Sequence, residues 1–448
     1  MTLSSHIVGF TAVRLFGYSA HSVDNVDAEL NRCAVKKPYS LPRHEKKTGY
    51  DTDMPKVQTG LEVLLEMPEL IGGRKWALLA NQAAVTADLD PARVVLPAGK
   101  PGPLVRLFAP EHGLDGVAQD MEAVADVRDP ITGCEVRSLY GSTAETLEPA
   151  PQDLEDVDVV VVDLPDIGAR YYTFAATLDW VMAACEKARV EVLVLDRPNP
   201  IGGRMREGGM VEGGFESFVS QLPVPVRHGL TLGEIALILH RERHPQLELT
   251  VVPCREWQRR NWLDATGLPW VPPSPNMPSL ETATLYPGLC LVEATTLSEG
   301  RGTTRPFHLV GAPWIDAEGL VSHLRALDLP GISLRPARFR PQFGKYGSEI
   351  CAGVELGVTD RDSLEPVALG LHILKSIYDL HPGDFAWRSD PYEFVSDVPA
   401  LDLLTGSAAA RECIENGLDF DSLFESWRKS VKDFESRLDG VLLYHDSR

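Results

Sequence analysis

Four apolar segments of strand length recur in the first half of the chain, and each one leads into polar residues. They cover residues 76–80, 104–109, 157–164 and 190–195. Largely apolar segments of this length, bounded by turn residues, predict strands that are buried on both faces of a sheet. Residues 173–189 have an apolar face at helical spacing and lie between the last two segments. Strand, helix and strand then form a βαβ unit, so we expect a mostly parallel sheet.

The polar residues at the ends of these segments predict a shared crevice. Ligands of open α/β sheets bind beyond the carboxyl ends of the strands. If the four strands are parallel neighbours, their polar ends converge at one edge of the sheet. The side chains at these ends are Asn81, Glu111, His112, Asp163, Asp166, Asp196, Arg197 and Asn199. A glutamate and a histidine together in such a crevice are candidates for proton transfer.

The rest of the chain predicts a second domain. Thr231 and Glu234 match a capping box for a helix that runs to about residue 243, and a strand is expected at 288–293. Beyond residue 310 we expect helices at 316–327, 365–380, 408–417 and 421–438, and strands at 332–339 and 349–358. We therefore predict a disordered extension (1–53), a Rossmann-like catalytic domain (54–285) and a smaller α+β domain that completes the cleft (286–448).

Charge and cysteine usage narrow the class of protein. The 448 residues include 43 basic and 64 acidic side chains, a net charge of −21. This argues against nucleic acid or an anionic membrane as a partner, because both need a basic surface. The seven cysteines are scattered without a C-x-x-C pair, and no apolar run approaches the ~20 residues of a membrane span. We expect a cytoplasmic protein without a membrane span.

Several carboxylates are candidates for acid–base chemistry. Hydrolysis of a glycosidic bond commonly needs two carboxyl groups, about 5 Å apart for retention or about 6.5–9.5 Å apart for inversion. The sequence leaves open whether each carboxylate reacts or instead binds backbone amides and arginines. The candidates are Glu111, Asp163, Asp166, Asp196, Glu293 and Glu299.

Arginines on predicted turns at the same edge suggest an anionic ligand. A guanidinium group binds a carboxylate or phosphate through two hydrogen bonds. Pairing with the nearby aspartates is the open alternative. These arginines are Arg170, Arg197, Arg227, Arg301 and Arg305. Because His112 and His228 have no second histidine at ligand spacing, and no G-x-G-x-x-G follows a strand, we expect neither a metal nor a cofactor.

Six motifs resemble the exo-β-N-acetylmuramidase (NamZ-type) family, formerly a domain of unknown function. They are FAPEHG (108–113), DIGARYY (166–172), LDRPNP (195–200), PVRHG (225–229), PSPNMP (273–278) and LSEGRGTTRP (297–306). The resemblance covers about residues 55–448. It implies a Rossmann-like domain without a nucleotide, a smaller second domain, and an exo-acting glycosidase. The implied reaction releases non-reducing-end N-acetylmuramic acid from peptidoglycan fragments.

The resemblance also implies roles for individual residues. Glu111 would be the general acid/base, with His112 and Asp163 as further catalytic residues. Arg301 and Arg305 would hold the lactyl carboxylate of this anionic amino sugar. The other expected sugar-binding residues are Asn81, Asp166, Arg170, Tyr171, Arg197, Asn199, Arg227, His228, Asn276, Glu293, Glu299 and Thr304. Attack by the substrate's own acetamido oxygen stays open as a mechanism.

Two features leave other functions open. The family's usual Asn-Gln-Thr-Gly is Asn81-Gln82-Ala83-Ala84 here, and residues 117–121 also differ from the pattern. One alternative is a non-catalytic binding protein for an acidic sugar, because a fold does not fix a function. The other is a hydrolase or transferase for a different acidic sugar. The sequence leaves the oligomeric state open.

Overall fold

The structure, a computed structural model, describes residues 14–15 and 56–446. Apart from residues 14–15, the predicted extension at 1–53 lies outside these ranges. Within them the chain forms a large, mostly parallel sheet with helices on both faces, followed by a smaller part built on an antiparallel sheet. The predicted fold class is confirmed.

The large sheet has eight strands in the order β1-β8-β7-β6-β2-β3-β5-β4, and only β4 pairs in the antiparallel sense. The central strands β2 and β6 are buried at every position, as their uninterrupted apolar sequences predict. The strands are β1 (Arg14–Leu15), β2 (Trp76–Ala80), β3 (Leu104–Ala109), β4 (Val127–Arg128), β5 (Glu135–Ser138), β6 (Val159–Asp163), β7 (Glu191–Leu195) and β8 (Leu249–Val252).

Helices cover both faces of this sheet because successive strand residues point to opposite sides. Val160 and Val162 of β6 belong to the same hydrophobic core as α3 (Phe174–Ala188) and α4 (Leu232–Glu242). Val159 and Val161 belong to a separate core with α1 (Gly60–Glu66) and α2 (Ala92–Ala98). The predicted capping box of Thr231 and Glu234 is present at the start of α4.

The smaller part contains a three-stranded antiparallel sheet in the order β10-β11-β9, with six helices before, between and after its strands. The elements are α5 (Leu280–Leu289), β9 (Leu309–Ala312), α6 (Ala317–Ala326), β10 (Ile332–Phe339), β11 (Cys351–Val358), α7 (Pro366–Leu380), α8 (Ala400–Thr405), α9 (Ala409–Glu415) and α10 (Asp421–Glu435). The predicted domain division at 285/286 falls inside α5, and the domain bounds stay a prediction.

The strand predicted at 288–293 is wrong. These residues form the end of α5 and a 3-10 turn, Cys290–Ala294. The segment is buried on all sides, so its apolar sequence has no helical stripe, and periodicity cannot separate a buried strand from a buried helix.

Gly288 in α5 and Gly370 in α7 let these two helices cross in backbone contact. A Cβ on Gly288 would lie 1.6 Å from the carbonyl oxygen of Pro366. We expect Gly288→Ala to lower the free energy of unfolding by about 2–3 kcal/mol, because the helices must separate. Gly383 is the matched control, since a Cβ there meets nothing within 4 Å. Urea denaturation of both variants tests this, and equal stabilities would contradict it.

Asp196, at the end of β7, ties three parts of the chain together. Its carboxylate accepts hydrogen bonds from Thr231 Oγ1 (2.7 Å), Gly233 N–H (2.8 Å) and the Tyr444 hydroxyl (2.5 Å). Burial nevertheless raises the pKa of Asp196 to about 6.

This raised pKa predicts a pH dependence of stability. The fold favours the protonated carboxyl group. Its contribution to the free energy of unfolding is therefore complete below about pH 4 and is lost as the pH rises through about 6. We expect the free energy of unfolding of Asp196→Asn to rise by about 1–3 kcal/mol relative to that of wild type when the pH is raised from 4 to 7.5. Urea denaturation at both pH values measures this difference, and a difference that does not change with pH would contradict it.

In the part of the chain that the structure describes, the helices are short and the cysteines are unpaired. The longest helices, α3, α7 and α10, have 15 residues each. Among the residues that the structure describes, no helix has the length and hydropathy needed to cross a membrane. The six cysteines in the described part of the chain are all free.

Candidate active site

A pocket of about 440 Å³ lies at the carboxyl end of β3, between the large sheet and the second domain. Pro110 ends the strand, and Gly113 N–H closes a turn onto its carbonyl at 3.0 Å. His112 (φ 70°) and Gly113 (φ 82°) both have left-handed backbone conformations. This conformation is unfavourable for a histidine and is typical of residues that a functional site holds in place. The turn brings Glu111 and His112 into the pocket.

Acidic and aromatic side chains dominate the pocket. The acidic residues are Glu111, Asp120, Glu293 and Glu393, and the basic ones are His112 and Arg301. The aromatic wall consists of Tyr171, Tyr172, Tyr286, Phe307 and Tyr392. Thr173, Ser274 and Asn276 add neutral polar groups. Apolar ring faces combined with a few polar groups suit the binding of a sugar.

Glu111 is buried and its carboxylate is fixed. The side-chain hydroxyl of Thr173 donates a hydrogen bond to Oε2 at 2.6 Å, and the residue is 4% exposed. Side-chain oxygens of Glu111, Asp120 and Glu393 lie within 4.8 Å of one another. In the described part of the chain, these three form the one acidic group close enough to hold a cation.

Three carboxyl groups of the pocket have raised pKa values. Burial is the largest cause for Asp120, Glu293 and Glu393. For Glu393, the negative charges of Glu111 and Asp120 raise the pKa further. Negative charges of neighbouring carboxylates also raise the pKa values of Asp120 and Glu293, because they oppose ionisation.

The tautomer of His112 follows from its contact. Its Nδ1 lies 3.0 Å from the carbonyl oxygen of Ala118, which can only accept a hydrogen bond. Nδ1 therefore carries a proton, and in the neutral ring Nε2 is left as the acceptor. In the pocket, this nitrogen can take a hydrogen bond or a proton from a sugar hydroxyl or a water.

Arg301 joins the two domains at the pocket. Its guanidinium donates to Glu293 at 2.5 Å and to Asp120 at 3.0 Å, and it lies 5.0 Å from the centre of the Phe307 ring. Burial lowers the pKa of Arg301, but the charges of Asp120, Glu293 and Glu299 raise it more, so its net pKa lies well above the usual value. The hydroxyl of Tyr392 donates to Glu293 at 2.8 Å. These contacts hold the second domain against the loop that carries Asp120.

Comparisons with known proteins agree with this architecture. Residues 76–281 match the family described as "Exo-beta-N-acetylmuramidase NamZ, N-terminal", and residues 284–444 match its C-terminal counterpart. The chain is 40% identical over 391 residues to the "Peptidoglycan beta-N-acetylmuramidase NamZ" of Bacillus subtilis (strain 168), covering 87% of this chain and 92% of that protein. This chain belongs to the NamZ exo-β-N-acetylmuramidase family. The predicted family and the predicted enzyme class, a glycosidase, are confirmed.

Two solved structures of DUF1343 family proteins from Bacteroides fragilis NCTC 9343 share the fold. One has a TM-score of 0.79 at 34% identity, covering 87% of this chain and 99% of that chain. The other has a TM-score of 0.67 at 27% identity, covering 88% and 100%. The NamZ fold therefore extends over both domains.

Six of the predicted site residues of this NamZ chain lie together in the pocket: Glu111, His112, Tyr171, Asn276, Glu293 and Arg301. Asn276 donates to the side chain of Gln119 at 3.1 Å. The hydroxyl of Tyr171 donates to the carbonyl of Pro287, so its ring rather than its hydroxyl faces the pocket. Glu299 lies just behind, where Lys345 donates to it at 3.0 Å.

Asp163, predicted to be catalytic, does not line this pocket. Its carboxylate is fully buried and pairs with Arg197 through two hydrogen bonds, of 2.5 and 2.8 Å. Arg197 also donates to the carbonyl of Val85 at 3.0 Å. This pair lies beside a second pocket, of about 530 Å³, which Asp166 and Trp270 line together with several prolines.

Four other predicted binding residues stabilise turns. Asn81 and Asn199 each accept a backbone N–H two residues ahead and donate to a distant carbonyl. Asp166 accepts the N–H of Gly168 at 2.7 Å and lies 3.2 Å from Nε2 of His228. Side-chain amides and carboxylates commonly close turns in this way.

The remaining predicted residues also lie outside the pocket. The guanidinium of Arg170 donates to three backbone carbonyls, at 2.6, 2.8 and 3.1 Å, and Arg227 donates to Ile201 and stacks over Trp262. Arg305 pairs with Glu355 at 3.3 Å, and Thr304 is exposed.

Sequence reasoning missed several residues of the pocket. Thr173 directly follows the DIGARYY motif that contains Tyr171, so its position next to a predicted site residue was an available signal. Asp120 lies in the atypical segment 117–121, which follows Glu111 closely in sequence. Glu393 and Tyr392 come from the second domain and carry no motif, because only the tertiary fold brings them to Glu111.

Proposed function

We propose that this chain releases N-acetylmuramic acid from the non-reducing ends of peptidoglycan fragments, with Glu111 as the general acid/base. The observation that carries the proposal is the burial of Glu111 at the carboxyl end of β3, in a pocket shared with Asp120 and Glu393. A carboxyl group held in this position can deliver a proton to a leaving group.

Two proton transfers follow from this assignment. Glu111 gives its proton to the glycosidic oxygen while the bond from that oxygen to C1 breaks and a nucleophile, either a carboxylate or the acetamido oxygen of the sugar, bonds to C1. The carboxylate of Glu111 then takes a proton from a water whose oxygen bonds to C1 as the bond from C1 to the nucleophile breaks. One side-chain oxygen of each of Glu111, Asp120 and Glu393 lies within 4.8 Å of the other two, so a second carboxyl group is within reach of the same bond. A carboxylate nucleophile and the acetamido oxygen of the sugar both lead to retention.

Arg301 is the candidate for the lactyl carboxylate. Its partner Asp120 has a side chain 29% exposed, whereas those of Glu293 and Glu299 are 5% and 6% exposed. A lactyl carboxylate would therefore replace Asp120 at Nη2, while the two buried partners stay in place. Nε2 of His112 and the amide of Asn276 would bind the hydroxyl and acetamido groups of the sugar. Arg305 has no place in this arrangement, because it lies outside the pocket.

We also propose a cytoplasmic location, where short fragments of the cell wall would be taken apart. The free state of the six described cysteines supports a reducing compartment.

The experiment that tests the function compares two chromogenic substrates. One is an N-acetylmuramic acid β-glycoside, and the other is the matching N-acetylglucosaminide, which lacks the lactyl group. We expect chromophore release from the first, and a kcat/KM at least about tenfold lower for the second, because Arg301 then has no carboxylate to bind. Saturable binding without release would indicate a binding protein. Activity on another acidic sugar alone would move the enzyme to a different substrate.

A further inference from the structure

We propose that Glu393 is a positioning residue for the reaction, which shares one proton with Glu111 and so sets the pH range in which Glu111 can act as an acid. The proposal rests on the function proposed above, and it assigns part of the acid–base machinery to the second domain. The geometry of the turn that carries Glu393 is the first support for it.

Glu393 lies in a two-residue turn with an unfavourable backbone. Tyr392 and Val395 exchange two backbone hydrogen bonds, of 2.8 and 3.0 Å, around Glu393 and Phe394. Glu393 has φ 44° and Phe394 has φ 68°. Such turns favour Asn-Gly or Asp-Gly, because both central residues need a positive φ. A strained backbone of this kind persists only where the surroundings hold it, which is typical of functional sites.

The surroundings of this turn do hold it. The ring of Phe394 packs edge-on against Tyr140, with centroids 5.6 Å apart, and the hydroxyl of Tyr140 donates to Oε2 of Glu393 at 3.0 Å. Tyr392 is anchored by its hydrogen bond to Glu293. Together these contacts direct a buried carboxyl group, 4% exposed, into the pocket within 4.8 Å of an oxygen of Glu111.

Two carboxyl groups this close do not ionise independently. The first proton lost leaves a negative charge that holds the second proton more tightly. The groups that face Glu393 also favour its protonated form. Three of them are acids, and one neutral donor, the hydroxyl of Tyr140, binds its carboxylate. The acids are Glu111, Asp120 and Glu293, and beyond Asp120 lie Arg301 and His112. Burial and the charge of Glu111 both raise the pKa of Glu393.

The chemistry balances with one proton in the pair. Glu111 delivers this proton to the glycosidic oxygen as the bond to C1 breaks and the nucleophile bonds to C1, and the pair of Glu111 and Glu393 then carries two negative charges. The attacking water returns one proton when its oxygen bonds to C1 and the nucleophile leaves. A pair that favours the singly protonated state therefore both supplies the acid and recovers it afterwards.

The experiment measures kcat/KM against pH for wild type, Glu393→Gln and Tyr140→Phe, with the chromogenic N-acetylmuramic acid glycoside as the probe. The basic limb of this profile reports the loss of the essential acid's proton in the free enzyme. We expect Glu393→Gln to move the limb to lower pH by at least about one unit, because Glu111 loses its neighbouring charge. We expect Tyr140→Phe to move it to higher pH, because the hydroxyl that stabilises ionised Glu393 is gone.

The controls separate this role from a structural one. Asp397→Asn removes an exposed charge from the same loop and should leave the limb in place. At its own optimum, Glu393→Gln should keep kcat within about tenfold of wild type, whereas Glu111→Gln loses at least about 100-fold at every pH. A chelator should change neither the basic limb nor the kcat of the wild-type enzyme, because in this proposal the trio of carboxyl groups binds a proton rather than a cation.

Several results would overturn the inference. These are an unchanged basic limb in an active Glu393→Gln variant, or activity that a chelator abolishes and a divalent cation restores. If Glu393→Gln does not fold, Tyr140→Phe takes its place. An unchanged basic limb in Tyr140→Phe then overturns the inference, and a shift of this limb to higher pH supports it. An inactive wild-type chain would reject the proposed function and this inference together, while an active one with unshifted variants rejects the inference alone.

Discussion

Replacing Glu111 with Gln is expected to lower kcat at least about 100-fold, the usual scale of general acid–base catalysis. The amide has the shape of the carboxyl group but cannot give a proton to the glycosidic oxygen. Its carbonyl oxygen can still accept the hydrogen bond from Thr173, so the fold should be intact. Steady-state kinetics with the N-acetylmuramic acid glycoside, together with a thermal unfolding curve, measure both effects.

The matched control for this variant is Glu425→Gln. Glu425 is exposed on α10, so the same chemical change there should leave kcat and KM as they are. A Glu111→Gln enzyme with the turnover of wild type would show that Glu111 is not the proton donor. In that case Asp120 and Glu393 would be the next carboxyl groups to test.

Replacing Arg197 with Met is expected to lower the free energy of unfolding by about 3–5 kcal/mol, the cost of breaking a buried ion pair from one side. Asp163 is 0% exposed and would keep a charge without its partner. The carbonyl of Val85 would also lose its donor. Burial lowers the pKa of Arg197, while the charge and hydrogen bonds of Asp163 raise it to a net value above the usual one. Urea denaturation at pH 7 measures the loss.

Arg437→Met is the matched control for this prediction. Arg437 pairs with Glu242 at 2.7 Å, but its side chain is 43% exposed. Exposed pairs contribute about 0–1 kcal/mol, so this variant should unfold close to wild type. If Arg197→Met were equally stable but bound the sugar more weakly, Arg197 would be a ligand-binding residue, as its position at a strand end first suggests.

Much of the fold could be predicted from the sequence because its signals are local. The apolar segments of β2, β3, β6 and β7 are short and bounded by turn residues, and the capping box of Thr231 is a local motif. The exception at 288–293 has a physical reason. That segment is buried and packs against α7 and α8, so its sequence has no polar face and its periodicity is lost.

The candidate site could be predicted only in part. The motif around Glu111 brings Glu111 and His112 to the end of β3, and this placement depends on a few neighbouring residues. Arg170 and Arg197 also follow strand ends, but their guanidinium groups turn into the fold, where Arg170 binds backbone carbonyls and Arg197 pairs with Asp163. Sequence spacing does not tell a bound guanidinium from a free one. The place of Glu393 in the pocket depends on its contact with Glu111, 282 residues earlier in the chain, and no local sequence pattern indicates such a contact.

A crystal structure of the Glu111→Gln variant with a muramic acid disaccharide bound tests the central claim most directly. We predict the sugar in the pocket between β3 and the second domain, with the glycosidic oxygen about 3 Å from the side chain of residue 111 and the lactyl carboxylate on Arg301. Density for the disaccharide in the pocket beside Trp270 and Arg197 instead, with residue 111 out of reach of the glycosidic oxygen, would contradict the account.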